Sequence, residues 1–153
     1  MAFKVAIFGG HVFSDAYHRE KPFCNIHIDD NAQRALKLLG RYEMKSVVLN
    51  TEWMVPPVCM EIVNTGGLID EIIFARDIKT GIREFLEQHR IHPCEALYVD
   101  DMAHGIRQAK QADIAATVAL TGGYDSAERI LKEDPRYLYH STLDVAKLAY
   151  AQL

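Results

Sequence analysis

The sequence predicts one α/β domain spanning residues 1–153, a Rossmann-like three-layer sandwich with helices on both faces of a mostly parallel sheet. Short apolar runs alternate with segments of helical periodicity, which is the pattern of repeated βα units. Two of these runs, residues 47–49 and 96–99, are continuously apolar, as expected of central strands that are covered on both faces. A length of 153 residues suits a single domain and leaves no room for a second one.

Each element is predicted from its own stretch of sequence. Strands are expected where an apolar run ends at polar or turn residues, namely at residues 4–8, 45–50, 68–75, 96–100, 114–120 and 137–140. Helices are expected where apolar residues recur three and four positions apart, namely at residues 30–39, 80–89, 102–112, 125–132 and 142–151. Gly40 is predicted to end the first helix. Residues 10–29 form a long connection, and loops of that length are usually functional.

Composition excludes several classes of partner and compartment. With 17 basic and 21 acidic residues the formal net charge is −4, so the chain lacks the basic character typical of a nucleic-acid-binding domain. No apolar run reaches the 18 residues of a membrane span. The three cysteines form no Cys-x-x-Cys pair, which favours reduced thiols and a cytoplasmic location.

The most specific pattern lies in residues 95–123, which read as strand, acidic loop, helix, strand and glycine turn. The strand and loop are Ala-Leu-Tyr-Val-Asp100-Asp101, and the turn is Thr-Gly122-Gly123. Together with the apolar first strand, this order resembles the haloacid dehalogenase-like phosphatases in their small, capless form. The resemblance implies a phosphatase-type hydrolase fold with a magnesium site, no cap domain, and a flap-like loop at about residues 10–29.

The resemblance places an Asp-x-Asp motif, with a nucleophile and an acid/base residue, at the end of the first strand. Those two positions are Gly9 and His11 here. Since glycine has no side chain to attack phosphorus, the standard aspartyl-phosphate chemistry is predicted to be lost or severely impaired. His11 remains a candidate acid/base. The pair Gly9-Gly10 is either a tight exit from the strand or a backbone cradle for an anion.

Two further motifs of the family concern phosphate binding. The resemblance assigns Asn50 or Thr51 to a phosphate oxygen and Lys79 to charge neutralisation beside the phosphate. Each assignment has a simpler alternative. Asn50 and Thr51 are also suited to capping a following helix, and Lys79 is also suited to a solvated surface position.

The acidic pair is the best-preserved motif. The resemblance makes Asp101 the magnesium ligand, with Asp100 as a weaker one, while the second acidic position of the motif is Gly105. With fewer carboxylates, Mg²⁺ binding is predicted to be weakened or absent. Alternatively, the two aspartates cap the helix that follows them. A third arrangement brings His11, Asp101 and His104 together around a transition metal.

Three functions are compatible with these residues. The first is a non-catalytic pseudo-phosphatase domain that binds a phosphate-like anion or a protein partner. The second is a metal-dependent phosphoester hydrolase of altered mechanism that uses His11 and Asp101. The third is a structural or assembly role as a homo-oligomer such as a dimer.

Overall fold

The structure, a computed structural model, describes residues 3–10, 12–13, 28–51 and 66–150. His11 and most of the connection predicted at residues 10–29 lie outside the described residues, as do the residues that directly follow Thr51.

Six strands form one sheet, and each of its five pairings is parallel. The strands are β1 Val5–Gly9, β2 Lys45–Thr51, β3 Glu71–Ala75, β4 Ala96–Asp100, β5 Ala116–Leu120 and β6 Tyr137–Tyr139. Their order across the sheet is β3-β2-β1-β4-β5-β6. The predicted fold class is thereby confirmed, and each predicted strand is present with shifts of a few residues at its ends.

Helices flank the sheet. They are α1 Asp30–Arg41, α2 Ile78–Gln88, α3 Ala103–Gln111, α4 Ala127–Leu131 and α5 Thr142–Tyr150, with a short 3₁₀ turn at Pro93–Glu95. One group consists of α1 and α5, which pack on each other, and the other consists of α2, α3 and α4. In α1 and α2 the residue before the helix is an aspartate, Asp29 or Asp77, whose side chain accepts a backbone N–H at 2.7 Å. Such caps satisfy a donor that the helix itself leaves unpaired.

The end of α1 differs from the prediction. The helix continues through Gly40 to Arg41. The chain turns at Glu43, which has a left-handed φ of 59°, and the N–H of Met44 bonds the carbonyl of Leu39 at 3.0 Å. A non-glycine residue therefore takes the conformation that glycine usually provides after a helix.

The core lies on both faces of the central strands. Every residue of β1, β4 and β5 is buried, whereas β3 and β6 at the two edges are partly exposed. This burial explains why their sequences are continuous apolar runs rather than alternating ones. Within the part of the chain that is described, no helix is long and apolar enough to cross a membrane.

Candidate functional site

The candidate site lies where β1, β2 and β4 end. Gly9 pairs with Leu49 on one side, and on the other side Phe8 pairs with Val99, which brings Gly9 beside Asp100. The strand order reverses at β1, because β2 and β3 lie on one side of it and β4, β5 and β6 lie on the other. In open α/β sheets, ligands bind outside the carboxyl ends of the strands at such a point.

Asp100 is fully buried at this point and both of its carboxyl oxygens are hydrogen bonded. Residues two apart in a strand share a face, and the hydroxyl of Tyr98 donates to Oδ2 of Asp100 at 2.6 Å. The backbone N–H groups of Asp101 and Met102 donate to Oδ1 at 2.8 and 3.2 Å. The side chain is thus held by three donors that all belong to β4 and the turn after it.

The environment favours the neutral form of this carboxyl group. Burial, and then the negative charge of Asp101, raise the pKa of Asp100 well above its ordinary value. Burial, followed by the charge of Asp100, likewise raises the pKa of the Tyr98 phenol. Removing a charged group from water always disfavours its ionised form.

Two glycines make room for the Asp100 side chain. A β-carbon added at Gly9 would lie 2.6 Å from both Cγ and Oδ2 of Asp100. A β-carbon at Gly105, in the first turn of α3, would overlap Oδ2 of Asp100 and come within 3.0 Å of the Tyr98 hydroxyl. The carboxyl group of Asp100 therefore fills the space into which a side chain at position 9 or 105 would project.

One carboxyl oxygen of Asp101 accepts a hydrogen bond, and the other has no hydrogen-bond partner among the described residues. Its Oδ2 accepts the N–H of Tyr124 at 3.2 Å and lies against Gly123. Its Oδ1 is buried and has no hydrogen-bond partner among the described residues. A buried polar atom without a partner often marks an unseen water or ion, so Oδ1 is the atom of Asp101 best placed to contact a ligand.

The alternative in which the aspartate pair caps α3 is limited to one contact, the N–H of the N-cap residue Met102, which Asp100 accepts at 3.2 Å. The N–H donors to Asp100 belong to residues before α3, and Asp101 bonds the loop after β5 rather than the helix. The N–H of Ala103, the first residue of α3, is instead accepted by Oδ2 of Asp125 at 2.8 Å.

Asp125 is a structural residue of the site that sequence reasoning missed. It is buried, its N–H donates to the carbonyl of Asp101 at 3.1 Å, and it pairs with Arg129 at 3.3 Å. The sequence prediction placed it inside the fourth helix, whereas the helix begins at Ala127 with Ser126 as its cap. The run Asp-Ser before an apolar stretch was the available signal, since both residues are typical of helix starts.

Replacing Asp125 by Ala is expected to lower the free energy of unfolding by about 2 kcal/mol, because the first N–H of α3 loses its charged acceptor. Ser126→Ala is the matched control, since Ser126 caps only the five-residue α4 and its loss should cost about 0.5–1 kcal/mol. Urea unfolding measures both values. Equal losses in the two variants would contradict the role given to Asp125.

The other predicted site residues lie near this edge with different contacts. Asn50 and Thr51 are buried at the end of β2, and Oγ1 of Thr51 has no hydrogen-bond partner among the described residues. Lys79 is half-buried in the first turn of α2, where its backbone N–H donates to Oε1 of Gln108 at 2.9 Å. Whether Asn50 and Thr51 also cap a helix depends on residues outside those described.

The hydrogen bond from Lys79 fixes the orientation of the Gln108 amide. Since Oε1 accepts from that N–H, the amide nitrogen of Gln108 is the donor to Nε2 of His104, 2.9 Å away. Nε2 of His104 must then act as an acceptor. This nitrogen is consequently engaged by Gln108.

The described residues supply only part of the magnesium site that the resemblance implies. Mg²⁺ requires near-octahedral oxygen coordination and usually one or two carboxylates. Asp101 offers a single unengaged oxygen, both oxygens of Asp100 are engaged, and Gly9 and Gly105 offer none. Among residues 3–10, 12–13, 28–51 and 66–150, no three His, Cys, Asp or Glu side chains are grouped to hold a metal. The arrangement with His11 falls on a residue outside this set.

No protein-family model and no curated protein sequence matches the chain. Solved structures do match it. A haloacid dehalogenase-like hydrolase of Streptococcus pneumoniae superposes with a TM-score of 0.68 at 20% identity, covering 81% of this chain and 60% of that one. A predicted phosphoglycolate phosphatase of Haemophilus somnus gives 0.67 at 19% identity, covering 82% of this chain and 58% of that one. The chain thus spans about three fifths of the length of these two proteins.

A third structure matches over its whole length. The D,D-heptose 1.7-bisphosphate phosphatase of B. bronchiseptica, solved with magnesium and phosphate, superposes with a TM-score of 0.76 at 10% identity, covering 99% of this chain and 100% of that one. These likenesses confirm the resemblance at the level of fold: the chain has the α/β fold of haloacid dehalogenase-like hydrolases and phosphatases.

Proposed function

We propose that the chain is a pseudo-phosphatase domain, which binds a phosphate-like anion or a protein partner at the carboxyl edge of its sheet without aspartyl-phosphate chemistry. One observation carries the proposal. The position of the family nucleophile is Gly9, and the space beside it is filled by the carboxyl group of Asp100. A fold of this kind can host many functions, so the residues at the site decide.

Asp100 is not a replacement nucleophile. A nucleophilic carboxylate must be ionised and must reach the phosphorus atom. Asp100 has no exposed surface, its two oxygens accept three hydrogen bonds, and its raised pKa favours the neutral acid. Each of these properties opposes attack on a substrate.

Several groups remain that suit binding rather than turnover. The buried hydroxyl of Thr51 can donate a hydrogen bond, and Lys79 lies in the first turn of the neighbouring α2. A phosphate oxygen would satisfy the hydroxyl, which has no hydrogen-bond partner among the described residues. The B. bronchiseptica phosphatase was solved with phosphate and magnesium, which supports phosphate as a ligand of this fold.

The proposal predicts no turnover of para-nitrophenyl phosphate or of a phosphoester panel, with or without magnesium, because neither Gly9 nor the buried Asp100 can form the phosphoryl intermediate. Purified wild type and Asp101→Ala are compared side by side. A trace rate that is equal in both preparations and disappears on further purification belongs to a contaminant. Metal-dependent hydrolysis by the wild type that disappears in Asp101→Ala would refute the proposal.

Ligand binding is tested by thermal unfolding, since a ligand of the native state raises Tm. Phosphate alone is expected to raise Tm, and Thr51→Val and Lys79→Ala should each remove the shift. Lys132→Ala removes one positive charge at an exposed residue after α4. This control variant should keep the Tm shift caused by phosphate. If phosphate leaves Tm unchanged, the anion is excluded and affinity capture of a protein partner becomes the test.

A second candidate is the metal-dependent hydrolase that uses His11 and Asp101. The unengaged Oδ1 of Asp101 is the observation in its favour. It requires hydrolysis that depends on an added metal and is lost in both His11→Ala and Asp101→Ala. Loss in only one of the two variants would contradict this mechanism.

A further inference from the structure

We propose that the end of β1 contains an internal carboxyl-binding pocket, which Asp100 fills in this protein and which a small free carboxylate would fill in its absence. The carboxyl pocket is defined by the hydroxyl of Tyr98, the N–H groups of Asp101 and Met102, and the walls formed by Gly9 and Gly105. Only one carboxyl group fits, so positions 9, 100 and 105 compete for the same space. The pocket shares with the proposed function the contact between Asp100 and Gly9, but it does not require that the chain bind an anion or a partner.

The donors of the pocket are arranged around both oxygens of one carboxyl group. The Tyr98 hydroxyl contacts Oδ2 at 2.6 Å, and the two successive N–H groups contact Oδ1 at 2.8 and 3.2 Å. A hydrogen bond of 2.6 Å between two oxygens is at the short end of the range. The donors come from a fully buried central strand and the turn that continues it, so the arrangement is expected to persist when the Asp100 side chain is removed.

The walls of the pocket explain two glycines that have no conformational reason to be glycine. Gly9 ends a buried strand and Gly105 lies within α3, and neither has a left-handed φ. Alanine is a better helix former than glycine, so a glycine at position 105 needs a steric cause. The contacts of both hypothetical β-carbons with the Asp100 carboxyl supply that cause.

The experiment measures Tm for Gly9→Ala and Gly105→Ala in two backgrounds, wild type and Asp100→Gly. In the wild-type background each substitution is expected to lower Tm by at least about 5 °C. In the Asp100→Gly background the same substitutions should lower Tm by less than about 2 °C, because the colliding side chain is gone. Losses of equal size in the two backgrounds would overturn the inference.

Two controls separate volume from other effects. Gly81 is equally crowded, since its β-carbon would lie 2.7 Å from both Ala75 Cβ and Leu49 Cδ1, but its neighbours do not include Asp100. Gly81→Ala must therefore cost the same in both backgrounds. In an Asp100→Asn background, which keeps the volume of the side chain, Gly9→Ala must lower Tm as much as it does in wild type. If Gly9→Ala no longer lowered Tm there, charge rather than space would be responsible, and the inference would be overturned.

Formate provides a direct probe of the empty pocket. It is expected to raise the Tm of Asp100→Gly, or to restore folded protein if that variant is unfolded alone, and to leave wild type unchanged. Removing the donor hydroxyl in Tyr98→Phe/Asp100→Gly should weaken the formate effect. A formate shift of the same size in wild type and Asp100→Gly, or none in Asp100→Gly, would exclude the pocket.

Discussion

Introducing the family's second acidic residue by Gly105→Asp is expected to abolish folding or to destabilise the protein by about 4 kcal/mol or more. The new β-carbon would overlap Oδ2 of Asp100, and the new carboxyl group would enter a buried space beside another one. A buried carboxylate without a partner costs several kcal/mol. The free energy of unfolding of a domain is about 5–15 kcal/mol, so Gly105→Asp removes a large share of it.

The measurement is soluble yield followed by urea unfolding. Gly40→Asp adds the same side chain to the last turn of α1, where a β-carbon would meet no described atom within 4 Å, and Gly40 is exposed. That control is expected to change stability by no more than about 1 kcal/mol. A Gly105→Asp protein as stable as the control would mean that Asp100 leaves its position readily.

Replacing Asp100 by Asn is expected to make the variant progressively more stable than wild type as pH rises. In wild type the pKa of Asp100 is raised in the folded state, chiefly by burial. The folded protein therefore holds a proton that the unfolded chain releases, so wild-type stability falls with pH between the unfolded value of about 3.9 and the raised folded value. The slope approaches about 1.4 kcal/mol per pH unit across this window. Asparagine does not titrate and keeps the same shape.

Urea unfolding of both proteins from acid to alkaline pH gives the difference directly. Asp77→Asn is a control of opposite sign, because hydrogen bonds from Thr80 lower the pKa of Asp77. The stability that Asp77 provides is present above about pH 3.9 and is lost as pH falls through its folded pKa. A difference between Asp100→Asn and wild type that is constant with pH would contradict the neutral state assigned to Asp100.

Much of the fold was predictable because local sequence determines it. The apolar runs of β1, β2 and β4 are buried on both faces, so their composition alone marks them as central strands. The stop at Gly40 was wrong because glycine is permitted but not required to end a helix, and the chain used a left-handed Glu43 instead.

The site was less predictable because its key contacts join distant parts of the chain. The hydrogen bond from Tyr98 to Asp100 was within reach of sequence reasoning, since residues two apart in a strand share a face. The contact of Asp100 with Gly9 depends on the register between β1 and β4, which neither segment encodes alone. The bond from Ala103 to Asp125 spans 22 residues and depends on how the loop after β5 returns to the site.

The central position of β1 also affects how the protein is made. One edge of β1 pairs with β2. Its other edge stays unpaired until β4 is synthesised, and β4 begins about 90 residues after β1 ends. At ribosomal speeds this interval lasts roughly 5–20 s. During it the unpaired N–H and C=O groups of an apolar strand can pair with other chains. The nascent protein therefore carries an unpaired apolar strand edge until β4 arrives, and pairing of that edge with other chains is a route to aggregation in this interval.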